Sequence, residues 1–205
     1  IKKIAIVSLS SGILGEEYIQ HEVNLGVERL KNYNIELKFM SNSLKGVEFL
    51  KVHPEARADD LIDAFSDDTI DMILCAIGGD DTYRLLPYLF EDDRLRKAAK
   101  QKIFLGFSDT TMNHFMLNKI GIPSYYGQAF IPDTKFYFEE LLNKQSIQNV
   151  QPSSEWYEER LDYSKESLGT SLKKHINHGF ELIRGTSEFE GKILGGCLES
   201  IFDFF

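Results

Sequence analysis

A serine stands where an apolar run gives way to a polar one: Ile103-Phe104-Leu105-Gly106-Phe107-Ser108-Asp109-Thr110-Thr111. The run has the length and composition of a buried strand, and the residues beyond it, with Phe115, Met116 and Ile120, read as a helix. A hydroxyl held on such a strand-to-helix turn is presented for nucleophilic attack. The amide of the next residue, Asp109, can then donate to the oxyanion of a tetrahedral intermediate. A second apolar run, Met72 to Ile77, empties into Gly78-Gly79-Asp80-Asp81. Glycine lets backbone approach a substrate closely, which makes the Gly79 amide the candidate second oxyanion donor. The chemistry these residues suit is acyl transfer with Ser108 as nucleophile.

Each feature also has a plainer interpretation. Ser108 or Asp109 can simply cap the helix from Thr110 onward. The elbow pattern Gly-x-Ser-x-Gly is incomplete, with Thr110 at its last position. The Gly78-Gly79-Asp80-Asp81-Thr82 stretch can be a capped tight turn or a phosphate cradle at a helix N-terminus. In the second role it resembles the Gly-Gly-Asp-Gly-Thr turn of NAD kinases and diacylglycerol kinases, with Asp81 in the place of a glycine and a carboxylate that would repel phosphate. A serine nucleophile needs a general base within hydrogen-bond reach. His114 follows Ser108 on the same helix but points to another face. His21 and His53 flank early helices, where solvated surface roles are expected, and His175 and His178 reach the cleft only if their loop folds back. No cysteine or patterned carboxylate accompanies that pair, so no metal is expected and no cofactor is implied. Trp156, Tyr157 and Tyr163 lie in a charged segment, where they either anchor it to the core or stack on a ring of the substrate.

The elements that must position these groups alternate. Ile4 to Val7 reads as a buried strand, followed by the polar turn Ser8-Leu9-Ser10-Ser11-Gly12. Ile19, Val23, Val27 and Leu30 have helical spacing, and Ile35 to Phe39 alternates as a strand does. Pro54 opens a helix with Ala58, Leu61, Ile62 and Phe65 on one face. After the Met72 run come a helix with Leu85, Leu86 and Leu89, the Ser108 strand and helix, and a strand from Ile122 to Tyr126. This is an α/β pattern: a Rossmann-like, mostly parallel sheet with helices on both faces. Three regions are expected: a nucleophile-bearing domain over 1–132, a linker and substrate-loop region over 133–178, and the start of a smaller C-terminal domain over 179–205. The middle region is expected to hold a helix around Phe138–Leu142 and an irregular loop over Pro152 to Arg160. Phe180 to Ile183 and Ile193 to Leu194 read as strands. The chain stops inside the apolar helical pattern Leu198 to Phe205, so the last region is expected to be incomplete.

The formal net charge of −9, with acids and bases mixed, argues against a nucleic-acid partner, which would need clustered Lys and Arg. No stretch approaches the length of a membrane span, and the N-terminus is too short and strand-like for a signal peptide. Cys75 and Cys197 read as buried thiols in a reducing compartment. A cytoplasmic protein is expected, with a small peptide-like substrate and no membrane partner.

Ser8-Leu9-Ser10-Ser11, Ile77-Gly78-Gly79-Asp80-Asp81, Leu105-Gly106-Phe107-Ser108-Asp109-Thr110-Thr111, Tyr126-Gly127-Gln128 and Gly191-Lys192-Ile193-Leu194-Gly195-Gly196-Cys197-Leu198 occur in one order across nearly the whole chain. That order resembles the LD-carboxypeptidases and their microcin C immunity relatives. Asp80-Asp81 and Ser154-Glu155-Trp156 look more like the microcin-immunity branch. The resemblance implies a serine peptidase with a Ser-Glu-His triad and a homodimer. Ser108 would be its nucleophile, with the amides of Asp109 and Gly79 as oxyanion donors. Trp156 or Tyr163 would lie near the loop that stacks on a nucleotide base. The triad's Glu and His would follow the Gly-Gly-Cys-Leu segment, beyond Phe205, and Glu199 comes too early to be that Glu. On this expectation the 205-residue stretch alone is inactive. The substrate would be a murein tetrapeptide-like molecule or a peptidyl-nucleotide. The alternatives are a nucleotide-binding kinase-like domain using the Gly78-Gly79-Asp80 turn, and a non-catalytic ligand-binding module.

Overall fold

The computed structural model describes residues 1–131 and 152–202. Five strands form the main sheet: β1 (Lys3–Val7), β2 (Glu36–Phe39), β3 (Met72–Cys75), β4 (Ile103–Gly106) and β5 (Tyr125–Tyr126), in the order β2-β1-β3-β4-β5. Every neighbouring pair is parallel. Parallel strands need crossovers, which are supplied here by α1 (Gln20–Lys31), α2 (Val47–Val52), α3 (Pro54–Ser66), α4 (Leu86–Phe90), α5 (Arg94–Ala98) and α6 (Thr111–Lys119). A short α7 (Leu198–Phe202) follows later in the chain.

Alternation along β1 shows why both sheet faces are covered. Ala5 and Val7 join Ile73, Cys75 and Phe104 under α3 and α6, with Ala58, Leu61, Phe65, Met112 and Met116 in the same cluster. Ile4 and Ile6 join Met72, Leu74 and Leu105 on the opposite face, packed by Val23 and Leu30 of α1 and by Phe130. A sheet buried on both faces reads as continuous apolar runs, which is how β1, β3 and β4 were recognisable in the sequence.

In this strand order the chain changes direction between β1 and β3, and open sheets of this kind bind ligands outside the carboxyl ends of those strands. The Ser8–Gly12 and Gly78–Asp81 turns leave the sheet there, and Ser108 leaves the adjacent β4 at the same edge.

Several expectations are corrected. The Pro152–Arg160 stretch is not simply irregular, because β6 (Glu155–Tyr157) pairs antiparallel with β7 (Lys174–Ile176). Phe180–Ile183 and Ile193–Leu194 form no ladder among the described residues, and Phe180, Ile183 and Ile193 are almost wholly exposed. Apolar composition alone does not make a strand where no neighbour offers hydrogen bonds. The strand expected from Ile122 pairs only over Tyr125–Tyr126. Cys197 is half-exposed rather than buried, whereas Cys75 is buried as expected. The helix expected around Phe138–Leu142 lies outside the described residues. Among the described residues no helix is long and apolar enough to cross a membrane.

Candidate active site

The turn after β4 is unusual in its backbone. Ser108 has φ of 60°, a left-handed conformation that a residue with a side chain adopts at a cost of about 1–2 kcal/mol. It begins a single 3-10 turn, Ser108–Thr110, that leads into α6, and no side-chain cap bond closes either the turn or the helix. The capping interpretation of Ser108 and Asp109 therefore fails. What the turn does is set the half-buried Ser108 side chain beside the β3 turn. A Cβ placed on Gly78 would fall 2.8 Å from Ser108 Cβ and 2.9 Å from its Oγ. Gly106 is needed for a related reason, since a Cβ there would lie 2.7 Å from Thr110 Oγ1 and 2.8 Å from Cys75 Sγ. Thr110, which replaces the second elbow glycine, turns its hydroxyl inward to donate to Phe107 O at 2.8 Å.

Asp109 is buried, and its carboxylate ties three loops together. Oδ2 accepts from Ser10 Oγ at 2.5 Å and from the Thr82 amide at 2.9 Å. Oδ1 accepts from Ser200 Oγ in α7 at 3.4 Å. The Asp109 carboxylate is thus engaged by the turns after β1 and β3 and by α7.

A second tie comes from Arg57 in α3, whose side chain is fully buried. It donates to Asp81 through both terminal nitrogens, at 2.6 and 3.2 Å, and through Nη1 to the carbonyls of Leu9 and Ser10. The carboxylate that would have repelled phosphate is therefore neutralised. Arg57 was missed in the sequence because it lies among the apolar positions of an amphipathic helix. Its only signal was a charge on that face. The Ser11 amide donates to Gly78 O at 3.2 Å, so the β1 and β3 turns are also joined through backbone. Gly79 is exposed, and with Ser10, Gly12, Lys51, Asp81 and Arg84 it lines an open cleft of about 780 Å³.

The histidines divide as their surroundings dictate. His114 is buried, with Nε2 3.0 Å from Gly106 O and Nδ1 2.7 Å from Ser124 Oγ. Burial pushes its pKa down to about 4. The neutral ring must then carry its proton on Nε2 to satisfy a carbonyl, leaving Nδ1 to accept from Ser124. It has no nitrogen left with which to serve Ser108. His53 pairs with Glu55 at 2.6 Å, and His21 Nε2 lies 2.9 Å from the Tyr163 carbonyl.

Ser108, Trp156 and Tyr163 are not among the residues that line the cleft at Gly79, and Ser108 is set against Gly78. Trp156, in β6, is half-exposed and stacks on His175 of β7 at 4.3 Å and 18°. Glu158 Oε1 lies 2.8 Å from that ring's Nε2. Tyr163 lies beneath the Arg160 guanidinium, 4.7 Å from its ring centre. Arg160 Nη2 in turn stands 2.7 Å from Glu22 Oε1 of α1, whose side chain is 1% exposed. That contact pairs two charges without the alignment of a hydrogen bond. The Gly-Gly-Cys-Leu segment does return to the elbow. The Cys197 amide donates to Thr111 Oγ1 at 2.9 Å, and Thr111 Oγ1 donates to Ser108 O at 2.6 Å. Among the described residues no cluster of His, Cys, Asp and Glu is suited to hold a metal ion.

Residues 4–127 match the family model described as the LD-carboxypeptidase N-terminal domain. The microcin C7 self-immunity protein MccF of Escherichia coli is 27% identical, over 86% of this chain and 54% of that protein. The putative carboxypeptidase YocD of Bacillus subtilis (strain 168) is 29% identical, over 96% of this chain and 60% of its own length. Among solved structures, an MccF-like protein from Streptococcus pneumoniae in complex with AMP is similar, with a TM-score of 0.97 and 59% identity. The match covers 100% of this chain and 63% of that one. The chain thus spans between just over half and just under two thirds of the length of these relatives.

Proposed function

This chain belongs to the LD-carboxypeptidase family, and on that premise we propose that it carries the nucleophile half of a serine hydrolase acting on a peptidyl-nucleotide. The observation that carries the proposal is the left-handed Ser108 at the end of β4, uncapped and set against the bare face of Gly78. A helix cap needs no such backbone; a presented nucleophile does.

In the proposed reaction Ser108 Oγ attacks the scissile carbonyl carbon, and its proton passes to a histidine outside these 205 residues. His114 is not that base, because its Nε2–H is committed to Gly106 O. The oxyanion is met by the amides of Asp109 and Gly79. Collapse of the tetrahedral species expels the amine, which takes the proton from the base, and water then releases the acyl group from Ser108. Of the two candidate substrate-binding aromatics, Trp156 is the better platform for a base. Its indole is backed by His175 on one side and half-exposed. Tyr163 instead holds the segment against α1.

The AMP bound to the 59% identical relative favours a nucleotide-bearing substrate over a murein tetrapeptide. In the whole protein, Ser108→Ala is expected to abolish both fluorophosphonate labelling and hydrolysis of a peptidyl-adenylate analogue while AMP still binds. Trp156→Ala is expected to weaken AMP binding about tenfold, as loss of one base stack does. Turnover unchanged in Ser108→Ala would overturn the nucleophile. Release of a terminal D-amino acid from a murein tetrapeptide, without AMP binding, would move the substrate to the other class.

A further inference from the structure

The Tyr126-Gly127-Gln128 motif has no part in the chemistry so far, yet it touches the elbow directly. The β4–β5 ladder ends at the Gly106–Tyr126 pair, with the Gly127 amide donating to Gly106 O at 3.1 Å. Past that point the Ser108 amide has no strand partner. A side chain supplies one: Ser108 N–H donates to the Tyr126 hydroxyl oxygen at 2.9 Å. The bond falls on the residue whose φ is left-handed, where backbone strain persists only if the surroundings hold it.

The phenol is itself held. Its ring lies 5.4 Å from the His114 ring at 56°. His114 is in turn fixed at both nitrogens, by Gly106 O and Ser124 Oγ. Gly106 O therefore receives both the His114 ring and the Gly127 amide, so α6 and β5 converge on the last residue of β4. The remaining face of Tyr126 is open, as the side chain is 46% exposed.

We propose that Tyr126 is a positioning residue, whose hydroxyl fixes the left-handed Ser108 backbone and with it the direction of Oγ. The reaction consequence rests on Ser108 being the nucleophile, but the hydrogen bond does not. In the whole protein, Tyr126→Phe keeps the ring against His114 and removes only the acceptor. Hydrogen exchange at the Ser108 amide is expected to speed about tenfold, the scale of one lost hydrogen bond. The limiting rate of fluorophosphonate labelling is expected to fall by a similar factor, with the half-saturating probe concentration within about twofold of wild type. A merely structural loss would lower the melting temperature and move both labelling constants. Unchanged amide exchange, or a limiting labelling rate equal to wild type while Ser108→Ala abolishes labelling, overturns the proposal. Labelling that persists in Ser108→Ala sinks the nucleophile instead, and amide exchange in Tyr126→Phe still decides the role of Tyr126.

Discussion

Ser108 and His114 show how little a residue's type says about its role until its neighbours are known. Both belong to residue types that catalyse, and they lie on one turn-helix unit. One has a strained backbone and a side chain facing a glycine. The other is buried with both nitrogens engaged. The His114 shift has a consequence for stability. Its folded-state pKa of about 4 lies below the ordinary value of 6.5, so between these pH values the unfolded chain binds the extra proton. Stability from this group is therefore complete above pH ~6.5 and lost as pH falls towards ~4, by about 3 kcal/mol. Asp60 acts in the opposite sense, since burial raises its carboxyl to about 6. The contribution of His114 must therefore be read as a difference. His114→Gln is expected to show a smaller loss of melting temperature than wild type between pH 6.5 and 4. Parallel pH curves for the two proteins would refute it.

The site is a meeting of loops from separate elements, and charged side chains make the joins. Arg57 reaches from α3 to the turns after β1 and β3, and Asp109 reaches from the β4 turn to the same two. Sequence patterning located β1, β3 and β4, because strands covered on both faces must be apolar throughout. It also placed the glycine turn and the serine at their ends. It could not show that Arg57 and Asp81 face one another, since that pairing depends on how α3 crosses the sheet. Arg57→Met is expected to cost about 3 kcal/mol in chemical denaturation. The substitution leaves Asp81 with Arg84 alone, at 3.2 Å, and Ser10 O without its donor, while Leu9 O keeps the Thr82 hydroxyl. The retained Arg84 contact and Asp81's partial exposure keep the cost at the lower end for a broken buried pair. A change below about 0.5 kcal/mol, the range of ordinary surface substitutions, would show that the clamp does not hold these turns.

At the scale of the molecule, the later segment meets the sheet domain at two places, α1 and the elbow helix. The doubly covered sheet holds the elbow, and the β6–β7 hairpin segment carrying Trp156 rests on α1 through Arg160, Glu22, His21 and the Tyr163 carbonyl. Arg160→Ala strands a buried carboxylate and releases the segment. Limited proteolysis within residues 158–173 is expected to accelerate about tenfold, and adding Glu22→Gln should restore melting temperature but not protection. Protection equal to wild type in Arg160→Ala would show that the segment is held by other contacts. By itself the sequence determined the sheet, the two turns and the order of motifs that marks the family, because hydrophobic periodicity and glycine placement are local signals. Only the tertiary structure decided that Ser108 is left-handed rather than a cap, that His114 is occupied, that Phe180–Ile183 forms no ladder among the described residues, and that Tyr126 accepts the Ser108 amide. Each of those depends on a partner distant in the chain or on a neighbour's absence, and neither leaves a mark on composition or spacing.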